Sequence, residues 1–195
     1  MNAQIEKEFK FQAGLYFSDQ FFLNFYTLNV HMEVSTESIR EQNIAMERIH
    51  YFLYEKLEHA FFIKDTEKKL IDKLTNLGMK ACPIPEEPYD QIVALVLISK
   101  LNAITEGRLI ITDILIESRL SDGVKFKENA ETAQHVLRQN GWWCGFQPTI
   151  IDLPKYKLSD AKVVQLINSE WNEVCLGWKE KSQSNTEIVF DPEKQ

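Results

Sequence analysis

"NFYTLNVHMEVS", residues Asn24–Ser35, alternates apolar and polar side chains from Tyr26 onward. Because successive side chains of a strand point to opposite faces, this period of two predicts a half-buried strand. Its apolar face consists of Tyr26, Leu28, Val30, Met32 and Val34. Its other face is mostly polar and includes His31, so the pattern predicts a sheet with one face on a core and the other in water.

A second strand precedes this one, and a helix follows it. Lys7–Tyr16 has the composition of extended chain, rich in aromatic and apolar residues. Ser38 and Glu41 form an S-x-x-E capping box, which marks the start of a helix. The apolar residues after it recur at helical spacing and are Ala45, Ile49, Phe52, Leu53, Leu57 and Ala60. This pattern predicts a long amphipathic helix that packs on the sheet.

A charged, turn-rich connection, Lys64–Glu87, separates this helix from a second one. The connection is long enough to hold a short helix at Thr66–Leu77. Pro88 suits the first turn of the second helix, and the body of that helix, Ile92–Leu101, is apolar on nearly all sides. We therefore predict a helix with several buried sides, because the length of the segment favours helix over strand.

Two further strands complete the predicted domain. Side chains alternate along Arg108–Leu120, and Asp122-Gly123 is a hairpin-type turn before a short strand at Val124–Phe126. The predicted order is strand, strand, helix, helix, strand, strand, which defines an α+β fold. Residues 1–126 form this domain, and residues 127–195 form a helical, aromatic-rich C-terminal extension that ends in a flexible polar tail.

Composition excludes several classes of partner. The net charge of -7 and the lack of a lysine- or arginine-rich stripe argue against a nucleic-acid partner. The longest apolar run, Ile92–Ile98, is too short to span a membrane, and Met1–Lys10 does not resemble a signal peptide. The three cysteines, Cys82, Cys144 and Cys175, form no C-x-x-C pair and suit a reducing compartment. We therefore expect a cytoplasmic protein.

Four segments resemble, in order and spacing, the 6-pyruvoyl- and 6-carboxytetrahydropterin synthase family. They read "FKFQAGLYF", "YEKLEHAFFI", "EEPYDQIVALVLISKL" and "ITDILIES". The first is similar to the family's F-x-F-x-A-A-H opening and the second to its L-D-H-x-x-L-N segment. The resemblance covers roughly residues 7–126 and implies the tunnelling fold, ββααββ, an antiparallel sheet with two helices on one face. It also implies a homo-oligomer whose sheets close into a barrel, with His31 on the face that lines the channel.

The family's zinc site has no counterpart in this sequence. The three zinc-binding histidines of the family fall on Leu15 and near Asn24-Phe25-Tyr26. Leucine cannot coordinate zinc, and asparagine and tyrosine are poor zinc ligands. The segment "YFSDQFF" also lacks a cysteine at the place of the family's catalytic cysteine. We therefore expect neither a metal nor another cofactor.

Two other family positions keep side chains suited to chemistry. Glu58-His59 takes the place of the Asp-His pair that assists proton transfer in the family, where a carboxylate raises the basicity of an imidazole. Glu117 falls where the family binds the heterocycle with a glutamate. The carboxylate of that glutamate accepts hydrogen bonds from a ring N–H and an exocyclic amine. The resemblance thus implies Glu58 and His59 as catalytic residues and Glu117 as a substrate-binding residue.

Each of these residues also has a structural explanation. A histidine near a helix C-terminus is favourable to the helix dipole, and adjacent residues of a helix do not face each other, so Glu58 and His59 need not form a dyad. Glu117, at the end of a strand, can equally be a solvated carboxylate. Similarly, the polar face that carries His31 contacts solvent in an ordinary sheet.

Three hypotheses about function follow. The first is a divergent synthase-like protein that binds a pterin or purine-like ring through Glu117 and performs zinc-free, lyase-type chemistry through Glu58 and His59. The second is a catalytically inactive paralogue that binds the ring without turnover. The third is a structural or interaction subunit that makes its contacts through the acidic surface and the aromatic extension.

Overall fold

The computed structural model describes residues 3–137 and residue 143, which form an α+β fold with a six-stranded sheet and four α-helices. The strands are β1 (Gln4–Phe17), β2 (Gln20–Val34), β3 (Phe61–Lys64), β4 (Ala81–Ile84), β5 (Leu109–Ser118) and β6 (Lys125–Asn129). The helices are α1 (Ile39–Tyr51), α2 (Lys68–Asn76), α3 (Asp90–Thr105) and α4 (Ala130–Val136). The predicted α+β class is confirmed. Strand β6 runs across the predicted domain boundary at residue 126, and the extension beyond residue 137, except Trp143, lies outside the described residues.

The sheet has the strand order β4-β3-β1-β2-β5-β6. Strands β1, β2, β5 and β6 lie in that order and are antiparallel to one another, whereas β3 is parallel to both β1 and β4. The sequence prediction described the antiparallel part and missed β3 and β4. Both are only four residues long, and β4 contains Pro83, which is tolerated because β4 is an edge strand.

Helices cover the two faces of the sheet unequally. The inward side chains of β1, β2 and β5 share one apolar core with α1, α3 and α4. On β3, Phe62 belongs to this core, whereas its neighbour Ile63 packs with Ile71 and Leu74 of α2 in a separate cluster. Because adjacent strand residues point to opposite faces, α2 covers the other face of the β3–β4 strip. The two helices that the sequence predicts on one face, α1 and α3, both lie there, and α2, in the connection that the sequence allows to hold a short helix, packs on the other face.

Local sequence signals explain how the two long helices begin and pack. Ser38 caps α1 by accepting a hydrogen bond from the backbone N–H of Glu41 at 3.4 Å, which is one half of the predicted capping box. The other half is absent, because the Ser38 N–H donates to Thr36 and the Glu41 carboxylate pairs with Arg108. The helix then widens into one π-helical stretch, Phe52–Leu57, before the chain turns into β3. Helix α3 is buried on most sides, as its apolar sequence predicts, and its residues pack between the sheet, α1 and α4. No helix within residues 3–137 is long and apolar enough to cross a membrane.

A β-bulge in β5 changes which side chains share a face. The ladder with β2 pairs His31 with Asp113 and Met32 with Ile111, so Thr112 is an extra residue. The alternation that the sequence predicts along Arg108–Leu120 is therefore wrong at this point, because it would put Leu109, Ile111 and Asp113 on one face. Leu109 and Ile111 are buried in the core, whereas Asp113 lies on the opposite face. On that face the described residues place α2 over β3 and β4 alone, and the part formed by β1, β2, β5 and β6 is called the helix-free face below.

Candidate functional site

The Glu58-His59 pair lies in the turn between the π-helical stretch and β3, beside β1. The Glu58 carboxylate accepts a hydrogen bond from the backbone N–H of Gln12 at 3.1 Å. The backbone N–H of His59 donates to the carbonyl oxygen of Gln12 at 2.8 Å. Both bonds lie next to the paired residues of β1 and β3. The Glu58 carboxylate therefore binds the end of the helix to β1.

The imidazole of His59 points towards solvent. Its side chain is 69% exposed, and its Nε2 lies 3.9 Å from Glu58 Oε1, which is too long for a hydrogen bond. The backbone of His59 has a φ of 61°, in the left-handed region that few residues other than glycine adopt. The predicted helix end is thus present, and the two side chains are neighbours without being a hydrogen-bonded dyad in this structure.

Glu117 lies on the helix-free face of β5, opposite Thr27 of β2. Its carboxylate forms an ion pair with Lys125 of β6 at 3.1 Å, and both side chains are accessible to solvent. Phe25, one position along the same face of β2, is 45% exposed. A carboxylate beside an exposed aromatic ring can both accept hydrogen bonds from a flat heterocycle and let that heterocycle stack.

The three predicted site residues do not meet within one chain. Glu58 contacts Gln12 on the β3 side of β1, whereas Glu117 is on β5, with β2 between these strands. At a strand spacing of about 4.8 Å, the two carboxylates lie on the order of 10–15 Å apart. A ring held by Glu117 would therefore not reach His59 of the same chain.

The bulge at Thr112 creates a charged cluster that the sequence prediction did not find. His31 Nδ1 lies 2.5 Å from Asp113 Oδ1, and His31 Nε2 lies 3.5 Å from a carboxylate oxygen of Glu6 on β1. Lys127 of β6 approaches Asp113 at 3.1 Å. Partial burial alone would raise the pKa of Asp113, but the hydrogen bonds from His31 and Lys127 outweigh it and lower this pKa. The only sequence signal was the Thr-Asp pair within an otherwise apolar strand.

The helix-covered face carries a different kind of site at the N-terminus of α3. A cavity of about 370 Å³ opens there between α3, the end of β5 and the β1–β2 hairpin. Its apolar and aromatic wall includes Leu15, Phe17, Tyr89, Leu120 and Phe126. Its polar wall includes Asn24, Asp90, Gln91, Ser118 and Ser121. An apolar enclosure with a few convergent polar groups is the usual composition of a small-molecule pocket.

Asn24 has an unusual hydrogen-bonding state for a fully buried side chain. Its Oδ1 accepts from the backbone N–H groups of Phe25 at 3.0 Å and of Leu120 at 3.2 Å. Its Nδ2 and the hydroxyl of Tyr26, two residues along, are both inaccessible to solvent, and within the described residues neither makes a hydrogen bond of normal geometry. The two groups lie near each other in the core, which offsets part of the cost of about 1–3 kcal/mol that a buried polar group without a partner carries.

Burial also affects the acids near this cavity. Burial raises the pKa of Asp90, although a hydrogen bond from Ser118 Oγ at 2.8 Å acts in the opposite direction. Burial likewise raises the pKa of the Tyr26 phenol well above its ordinary value, partly offset by the nearby Asn24 amide. The Tyr26 hydroxyl therefore stays protonated at neutral pH, and Asp90 keeps one carboxylate oxygen, Oδ1, that Ser118 does not use.

The positions that the resemblance assigns to zinc lie on one wall of this region. Leu15, Asn24 and Tyr26 all point to the helix-covered side of the β1–β2 hairpin, and the first two line the cavity. A leucine methyl group offers no lone pair, and the Asn24 oxygen is already used by two backbone N–H groups, so these residues do not fit zinc. Residues 3–137 and 143 hold no group of three His, Cys, Asp or Glu side chains suited to a metal ion.

Comparisons with known proteins add little to this description. No protein-family model matches the sequence, and no curated protein matches it. A crystal structure of an uncharacterized protein from Wolinella succinogenes is similar to this chain, with 14% sequence identity and a TM-score of 0.48. The similarity covers 67% of this chain and 99% of the Wolinella chain. A similarity at this level carries no functional argument, so the pterin synthase resemblance rests on the sequence segments alone.

Proposed function

We propose that this chain is a divergent, zinc-free relative of the 6-pyruvoyl- and 6-carboxytetrahydropterin synthases that binds a pterin or purine-like ring through Glu117. The proposal includes the tunnelling-fold topology, with β1, β2, α1, α3, β5 and β6 as its ββααββ unit and β3-α2-β4 as an insertion between the helices. It also includes assembly of several copies into a barrel and a cytoplasmic location.

The observation that carries the proposal is the setting of Glu117. Its carboxylate is accessible on the helix-free face, and Lys125 is an exposed partner that a ligand can displace at small cost. Phe25, the next residue on the same face of β2, presents a partly exposed ring, and the Arg119 guanidinium lies 6.0 Å from the centre of that ring. A guanidine-like ring edge could therefore replace Lys125 as the hydrogen-bonding partner while the ring stacks on Phe25.

A thermal-shift titration with pterin and with guanine tests the ring site, because a ligand that binds only the folded state raises its stability. We expect Glu117→Gln to weaken ring binding about tenfold or more, since hydrogen bonds to a charged group contribute about 1.5–3 kcal/mol. Lys125→Ala should preserve or strengthen binding, because it removes the competing cation. Glu8→Gln is the matched control, since Glu8 is also paired with a lysine on the same sheet, at 2.9 Å from Lys10.

Ring binding that is equally tight in the unmodified protein and in Glu117→Gln would contradict the proposal that the Glu117 carboxylate binds the ring. The absence of any shift with either ring would favour the third hypothesis, a structural or interaction subunit.

A second candidate function is binding without turnover, as in an inactive paralogue. It is favoured by the hydrogen bond from the Gln12 N–H to Glu58, which gives this carboxylate a structural role, and by the exposed ring of His59. Incubation of the protein with a dihydropterin, followed by chromatography of the products, separates the two candidates. Turnover that His59→Gln abolishes would support the lyase hypothesis, and binding without turnover would support the paralogue.

A further inference from the structure

We infer that Arg119 is a second ligand-binding residue of the ring site, which stacks on the side of the bound ring turned away from Phe25 and selects against cationic rings. This inference rests on the proposed function, because it concerns the ring that Glu117 binds. The resemblance to the pterin synthases assigns no role to Arg119.

Arg119 directly follows β5 and lies on the same face of the sheet as Glu117 and Phe25. Its guanidinium carbon, Cζ, lies over the ring of Phe25, 6.0 Å from the ring centre. Residues two positions apart in an extended chain point to the same face, which relates Arg119 to Glu117. Ser118, between them, is buried and donates a hydrogen bond to Asp90 on the other face. Glu117, Phe25 and Arg119 therefore border one region of the helix-free face.

The distance between the Arg119 guanidinium and the Phe25 ring is close to the distance that a flat ligand needs. Carbon atoms in contact lie about 3.5–4.0 Å apart, so a ring bound between two planar groups separates them by roughly 7–8 Å. The observed 6.0 Å is therefore about 1–2 Å short of this separation. Because the Arg119 side chain is exposed, it can move outwards by this amount without disturbing the core.

The chemistry of the guanidinium group suits this position. It is planar and delocalised, and it stacks on aromatic faces, where its positive charge is attracted by the π electrons. Within residues 3–137 and 143, Arg119 forms no ion pair, so no carboxylate there neutralises its charge. Glu117 attracts a cationic ring, whereas Arg119 repels one. Removal of Arg119 should therefore shift the selectivity of the site towards cations.

Guanosine and 7-methylguanosine test this selectivity at pH 6, with dissociation constants measured by isothermal titration calorimetry. Both nucleosides present the same N–H and amine edge to Glu117, but only the methylated ring is cationic. We expect Arg119→Gln to weaken guanosine binding about three- to tenfold, because a stacked cation is lost. The same variant should raise the affinity for 7-methylguanosine relative to guanosine by about tenfold or more, because a repulsive charge is lost.

Arg119→Lys separates stacking from charge. A lysine ammonium keeps the positive charge but is not planar. This variant should weaken guanosine binding about as much as Arg119→Gln does, while the selectivity between the two nucleosides stays near that of the unmodified protein.

Arg40→Gln is the matched control, since Arg40 is also exposed but belongs to α1 on the other face of the sheet. It removes the same charge from the protein and should leave both affinities unchanged. An equal shift of selectivity in Arg40→Gln would show an effect of net charge and would overturn the inference. Affinities that Arg119→Gln leaves unchanged would also overturn it.

The same titrations distinguish a failure of this inference from a failure of the proposed function. Guanosine binding that Glu117→Gln weakens but Arg119→Gln does not would contradict the role of Arg119 alone. Guanosine binding that neither variant changes would contradict both, as would the absence of binding of either nucleoside to the unmodified protein.

Discussion

The polar side chains on the two faces of the sheet differ in whether they have hydrogen-bond or ion-pair partners. On the helix-free face, Asp113 is surrounded by partners, and Glu117 is paired with Lys125. On the helix-covered face, the Asn24 amide nitrogen and the Tyr26 hydroxyl are inaccessible to solvent and make no hydrogen bond of normal geometry among the described residues. The charged groups of the first face are accessible and paired with groups of neighbouring strands, whereas these two polar groups of the second face are enclosed by the core. A ligand can therefore bind the polar groups of the first face by displacing a partner, but it cannot reach those two groups of the second face unless the core opens.

The largest expected difference between the faces is in packing. Tyr26 is 1% exposed and stacks on Phe11, whereas its neighbour Phe25 is 45% exposed. Tyr26→Ala should lower the free energy of unfolding by about 3–5 kcal/mol because it leaves a cavity in the core. Phe25→Ala should change it by only about 0.5 kcal/mol. Urea unfolding of both variants measures this, and equal losses would show that the helix-free face is covered by an interface in solution.

A smaller effect tests where the helix-free face, on which we expect substitutions to cost little stability, ends. Gly14 of β1 lies at the edge of this face, next to the strip that α2 covers, where a Cβ atom would overlap with Cδ1 and Cε1 of Phe61. Gly14→Ala should therefore lower the free energy of unfolding by about 1–3 kcal/mol, unlike other substitutions on this face. The double variant with Phe61→Leu should recover part of the loss, and a double-mutant cycle in urea measures the recovery. Simple additivity of the two changes would rule out the overlap as the cause.

The charged cluster predicts a modest dependence of stability on pH. The folded-state pKa of Asp113 is below its ordinary value, so its contribution is complete above the pKa of about 3.9 in the unfolded chain and is lost as the pH falls through the folded-state value. Asp113→Asn should cost about 1 kcal/mol at pH 7, since solvent screens the partly open pair with His31. Urea unfolding at pH 7 and pH 3 should show that this gap is smaller at pH 3, because part of the contribution is lost once the pH is below the pKa in the unfolded chain.

The exposed Asp72 of α2 offers a matched control for this pH series. Asp72→Asn should leave the free energy of unfolding almost unchanged at both values of pH. A gap for Asp113→Asn that is as large at pH 3 as at pH 7 would mean that the substitution acts through shape and not through charge.

The smallest effect has the opposite sign. Tyr26→Phe removes a buried hydroxyl that has no partner among the described residues and keeps the aromatic ring. We expect the free energy of unfolding to stay the same or to rise by up to about 1 kcal/mol, because no hydrogen bond is lost. A clear loss of stability in thermal unfolding would reveal a partner for this hydroxyl in solution and would weaken the contrast between the faces.

Short-range patterns in the sequence determined much of the fold. The alternation along Asn24–Ser35 predicted β2 and its buried face, and Ser38 predicted the start of α1. The apolar run after Pro88 predicted a helix buried on several sides, which is α3. These predictions succeeded because periodicity and capping depend on residues two to four positions apart, which the sequence shows directly.

The sequence also placed Glu58-His59 at a helix end and Glu117 in a strand, and both placements are confirmed. It could not show that Glu58 bonds to Gln12, 46 positions away, or that two strands separate the pair from Glu117. Their roles in ring binding and proton transfer stay predictions. Similarly, β3 and β4 are too short to give a periodic signal, and their pairing with β1 depends on tertiary contacts.

The sequence by itself determined the α+β class, the order of the long elements and the side chains that do not fit zinc at Leu15, Asn24 and Tyr26. Only the tertiary structure decided which polar groups have partners. The bulge at Thr112 brings Asp113 to His31, and the burial of Asn24 leaves its Nδ2 without a hydrogen bond of normal geometry among the described residues. The physical reason is that hydrogen-bond satisfaction depends on distances and angles between groups far apart in the chain, which periodicity does not encode.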